Sequence, residues 1–107
     1  MSSTIKPPTD CETMADVRAG VDALDARLIE MLALRFGYME AAARIKPEFG
    51  MVRDEERKAE VIANARTAAL EKGIPVGLVT DFWDRLVEAS IAFEQERWRL
   101  LREDGES

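Results

Sequence analysis

Arg35 sits where an amphipathic helix should have an apolar residue. Reading from Met14 at spacings of three and four gives Met14, Val17, Val21, Leu24, Leu28, Met31, Arg35, Tyr38, Ala42 and Ile45, an apolar seam broken by one charge. A buried guanidinium without a partner is costly, so it calls for an anion, either an acid of the protein or a ligand. Further along, Ser90 and Glu94 are four apart and in line with Trp83, Leu86, Val87 and Trp98. That second stripe therefore carries either a buried charge or a carboxyl kept protonated by burial. Two apolar stripes with polar interruptions point to a polar pocket inside a helical bundle. An ion pair between Arg35 and Glu94 is the structural alternative. Lys46 follows the seam at a helix end, where a cation suits the dipole. Taken singly, Lys46, Arg18 beside Val17 and the run RDEERK at 53–58 read as ordinary surface charges.

The residue inventory narrows the chemistry. The chain has no histidine, which removes serine–histidine and cysteine–histidine catalysis and the usual histidine-bearing zinc sites. Cys11 is the single cysteine; it has no base for nucleophilic work and no partner for an internal disulfide, which fits a reducing cytoplasm. The six glycines are scattered and form no phosphate-binding loop. With a net charge of −6 and a sequence pI of about 4.7, neither nucleic acid nor an anionic membrane is an expected partner. No apolar run reaches the roughly 18 residues of a membrane span.

The elements that must position these residues are helices. Strand-like alternation is missing, and the seam predicts one long helix from about Met14 to Lys46. Thr13 is its expected N-cap, with Asp16 in an abbreviated capping box; Pro47 ends it. A second helix is expected from about Asp54, whose acidic first turn Asp54-Glu55-Glu56 suits the dipole, to the stop at Lys72-Gly73. After Ile74-Pro75 a third carries Val79, Phe82, Trp83, Leu86, Val87, Ser90, Ile91, Glu94, Arg97, Trp98 and Leu101 on a broad face. The organisation is a flexible arm over 1–12, a helical domain over 13–102 and a frayed acidic tail over 103–107. The first helix would be about 50 Å long, whereas a compact chain of this size has a radius of gyration near 13 Å, roughly. Two chains packed along their first helices would cover such a rod, so the expected fold is all-α, a homodimer of three-helix chains.

Together the residues form the pattern VR(18), LALR(35), ARIK(46), VRDEER(57) and S(90)xxxE(94), with 17 residues from Arg18 to Arg35 and 11 from Arg35 to Lys46. This pattern resembles the all-helical chorismate mutase family, over residues 10 to about 98. Within it, DCETMADVR and R-x-x-Y-x-x-A-A-x-R-x-K are similar to the branch containing isochorismate pyruvate lyases. The resemblance implies an intertwined dimer with two shared sites and a small dianionic substrate, chorismate or isochorismate. In it, Arg35 and Lys46 come from one chain and Arg18 from the other. The arginines would clamp the substrate's carboxylates, and Lys46 would reach a carboxylate and the enolpyruvyl ether oxygen. Asp54, Arg57 and Ser90 fall on substrate-binding positions of the second and third helices. Glu94 stands where many relatives have a glutamine that bonds the ether oxygen, and Lys58 where they have a glutamate that binds the ring hydroxyl.

Such residues suit the reaction the resemblance implies. Chorismate rearranges to prephenate by breaking a carbon–oxygen bond while a carbon–carbon bond forms, with no nucleophile, no base and no cofactor. The protein must hold the reactive conformer and stabilise charge growing on the ether oxygen. Arginine meets a carboxylate bidentately, and lysine serves as a mobile point charge. Arg18 and Arg35 lie about 25 Å apart along one helix, too far for one small dianion, so a second chain must supply its own Arg18. The first expectation is a chorismate mutase feeding prephenate towards phenylalanine and tyrosine. The alternatives are an isochorismate pyruvate lyase and, in another class, a non-catalytic helical dimerisation module. The loop from Pro47 to Arg53, with Gly50, is expected to order over bound substrate.

Overall fold

The computed structural model describes residues 5–106, which form three α-helices and two short 3-10 turns. Helix α1 spans Met14–Ile45, α2 spans Glu55–Lys72 and α3 spans Val76–Glu106; the turns are Pro8–Asp10 and Phe49–Met51. No strand occurs among the described residues. The all-α fold with a long first helix is as expected, and each helix end shows its local cause. At the start of α1 the Asp16 amide donates to Thr13 Oγ1 at 3.1 Å, and the Thr13 and Glu12 amides donate to Asp16 Oδ2. These bonds satisfy amides that a helix start leaves open. They also hold the Asp16 carboxyl below the usual range, the Glu12 amide being the largest cause. At the start of α2 the Asp54 carboxylate accepts from the Arg57 amide at 3.0 Å. The end of α2 is closed by Gly73 at φ 71°, whose amide bonds back into the last turn. Only a residue without Cβ takes that left-handed geometry freely.

The chain divides into two compact units, Met1–Arg35 and Phe36–Ser107. In the first, Lys6 Nζ lies 3.3 Å from Asp16 Oδ2, so the arm touches the start of α1. Residues 1–4 of that arm lie outside the described residues, as does Ser107 of the tail. In the second unit, Val52 from the α1–α2 connection packs with Val87 and Ile91 of α3, and Val61 and Trp98 close around them. Phe36 meets Phe93 edge-on at 5.0 Å, and Arg97 pairs with Glu40. Helix α3 continues to Glu106, through most of the segment expected to fray. No helix among the described residues is long and apolar enough to cross a membrane.

Candidate active site

Lys46 is the first residue past α1, and Pro47 prevents a further turn. Its ammonium Nζ lies 2.8 Å from Glu94 Oε2. Glu94 is 4% exposed on α3, one turn after Ser90, which is 3% exposed. Ser90 Oγ donates back to the Leu86 carbonyl at 2.7 Å, a bond that stops a buried hydroxyl from going unsatisfied. Glu94 Oε2 meets Lys46 at ion-pair distance, yet it accepts no well-formed hydrogen bond among the described residues. A buried carboxylate oxygen in that state is costly in a protein interior. Beside Lys46, it is a ready partner for a ligand donor.

Lys46 and Asp54 line one open cavity of about 550 Å³, together with Ile45, Pro47, Met51, Arg53 and Glu55. Asp54 is there as the α2 cap. Arg57 is exposed and pairs with Glu60 at 2.5 Å. Lys58 is drawn to α3, with Nζ 2.5 Å from Glu88 Oε2 and 3.2 Å from Asp84 Oδ1. Arg53 reaches the same carboxylate, its Nη2 2.8 Å from Glu88 Oε1, and also bonds Glu55. The Arg53 hydrogen bond first, and then that of Lys58, pull the Glu88 carboxyl down from the ordinary 4.5 to about 2. In turn, Glu88 holds both cations above their usual range.

Of the residues singled out on the sequence, the fold joins Lys46 directly to Glu94 and sets Lys46 and Asp54 on one cavity. Arg57 and Lys58 are engaged with acids of α2 and α3. Arg18 and Arg35 belong to the first unit, Arg18 exposed and Arg35 half-buried on α1. Four residues of this neighbourhood had no role in the sequence reading of the site: Arg53, Glu88, Trp98 and Arg102. Trp98 Nε1 donates to the Lys46 carbonyl at 2.9 Å, and Arg102 donates to the carbonyls of Ala43 and Lys46. A usable signal was the four-residue spacing of Trp98 and Arg102, at which a guanidinium can cover a ring along one helix. Glu88 gave none, because its partners are more than a helix away in sequence.

Residues 17–95 match the family described as chorismate mutase type II. The chain belongs to that family, which supports a catalytic role for the protein. It is 29% identical over 98 residues to the isochorismate pyruvate lyase of Pseudomonas aeruginosa, covering 92% of this chain and 97% of the relative. It is 28% identical over 86 residues to the T-protein of Haemophilus influenzae, covering 79% of this chain and 23% of that protein. The T-protein of Enterobacter agglomerans is 27% identical over 82 residues, of which the match covers 22%. The chain thus spans nearly the full length of the lyase and less than a quarter of each T-protein.

Proposed function

We propose that the protein is a chorismate mutase, converting chorismate to prephenate in a site shared between two chains. The observation that carries this reading is the half-buried Lys46 ammonium, 2.8 Å from the buried Glu94 carboxylate and beside the cavity at Asp54. An enolpyruvyl ether needs a donor where negative charge grows, and the Lys46 ammonium can supply one. Glu94, 2.8 Å from that ammonium, aims it. Arg35 and the partner's Arg18 hold the two carboxylates in the reactive conformer. Asp54, Arg57, Lys58 and Ser90 complete the walls, and no proton, metal or cofactor takes part in the bond changes. The proposal includes a homodimer through α1, and its support is that the seam residues Leu24, Leu28 and Met31 are each more than half exposed in the single chain.

A second reading, isochorismate pyruvate lyase, is favoured by one observation. Lys58, at the position implied to meet the ring hydroxyl, is an ammonium held by Glu88 and Asp84, so the side chain at that position cannot accept the hydroxyl's hydrogen bond. The two reactions ask much the same of Lys46 and Glu94. Incubating the purified protein separately with chorismate and isochorismate, and identifying products, separates the readings. Prephenate from chorismate is the expected result. Salicylate with pyruvate from isochorismate alone would replace the mutase by the lyase, and turnover of neither would leave a dimerisation module.

A further inference from the structure

We infer that Trp98 and Arg102 are positioning residues for Lys46: they fix its backbone to α3, the helix that also carries Glu94. The argument begins with a deficit. The last four carbonyls of a helix have no partner within it, and Pro47 brings no amide that could help at the end of α1. Two donors from α3 make up the loss. Arg102 spans the gap with Nη1 2.8 Å from the Ala43 carbonyl and Nη2 2.7 Å from that of Lys46. Trp98 Nε1 reaches the same Lys46 oxygen at 2.9 Å, so both lone pairs of one carbonyl are occupied. The guanidinium lies 4.2 Å over the Trp98 ring, which keeps both donors in place. A cation at a helix C-terminus also meets the negative end of the dipole.

Trp98 is four residues beyond Glu94, so the two share one side of α3. Lys46 is therefore held to that helix at both ends, its carbonyl by Trp98 and Arg102 and its ammonium by Glu94. A free lysine has four rotatable bonds and a mobile backbone at a frayed helix end. Anchoring the carbonyl removes the backbone part of that freedom and leaves the side chain to move only between carboxylate and substrate. The clamp extends into the connection, because Phe49 packs edge-on against Trp98 at 5.6 Å and Arg99 covers the Phe49 ring at 4.6 Å. Neither Trp98 nor Arg102 is needed to touch substrate.

The inference rests on the reading that Lys46 serves the reaction, and its test keeps the two apart. Arg102→Met removes both donors, Arg102→Lys leaves one cation able to reach one carbonyl, and Trp98→Phe keeps the ring but deletes the indole donor. With far-UV circular dichroism unchanged at the assay temperature, Arg102→Met is expected to lower kcat about tenfold or more with KM nearly constant. Arg102→Lys should recover part of that loss, and Trp98→Phe should fall between. Amide hydrogen exchange over residues 48–52 should quicken in Arg102→Met and Trp98→Phe. Unchanged kcat, a loss confined to KM, or unchanged exchange in both variants would overturn the positioning role. If the wild-type protein turned over neither substrate, the functional reading would fall. The exchange comparison would still decide whether these residues hold the Lys46 backbone.

Discussion

Glu94 Oε2 meets the Lys46 ammonium at 2.8 Å, so the pair can be tested one member at a time. Glu94→Ala should lower the rate about tenfold or more. Glu94→Gln, whose amide can donate to the ether oxygen, should recover part of that loss; equal rates in all three proteins would count against the role. Glu88 tests the neighbouring network through its charge. Its folded carboxyl titrates near 2 against the ordinary 4.5, so its contribution is present in full above about 4.5 and is lost as pH falls towards 2. Melting temperatures of wild type and Glu88→Gln should differ near neutral pH and converge across that window. A gap that stays constant down to pH 2 would remove Glu88 from the account. Arg35 and Glu94 were legible in the sequence because each breaks an apolar period, a signal contained in a few turns. The Lys58–Glu88 bond joins residues 30 apart and the Arg102–Ala43 bond residues 59 apart. No local pattern marks such pairs, so RDEERK read only as a charged turn.

Helix ends were the most readable elements, because capping is chemistry between residues a few positions apart. Thr13 with Asp16, Pro47, Asp54 and Gly73 all act where their types require. Gly73→Ala tests one of these directly. A side chain at φ 71° should cost about 1–2 kcal/mol, readable as a lower urea midpoint with an unchanged slope. An unaltered midpoint would mean the turn relaxes without strain. The connection from Pro47 to Arg53 is more than a free gate. Phe49 packs on Trp98, Val52 is 3% exposed in the core, and Arg53 is tied to Glu88. These anchors come from α3 side chains far along the chain, which is why Gly50 dominated the sequence view of the loop. Motion on substrate binding would therefore centre on Gly50 and Met51, with Phe49 and Val52 as fixed points.

At the scale of the molecule the apolar seam of α1 remains the largest unmet demand. Leu28 is 51% exposed and Met31 61%, and a continuous apolar stripe is rarely left to water and marks an interaction surface. A second copy covers it in the proposed assembly and brings Arg18 to the site. Leu28→Glu should then sediment as a monomer and lose turnover with the dimer. A monomeric wild-type protein with full activity would contradict the shared site. The sequence made this demand visible through helix length, yet the covering partner is a property of two chains and has no spacing to read. The most direct measurement of the central claim is the reaction itself, followed by proton NMR of chorismate with wild type and with Lys46→Met in parallel. Prephenate should accumulate with wild type and, with the variant, form at little above the uncatalysed rate. No prephenate from the wild-type protein, or equal rates from both, would contradict the account.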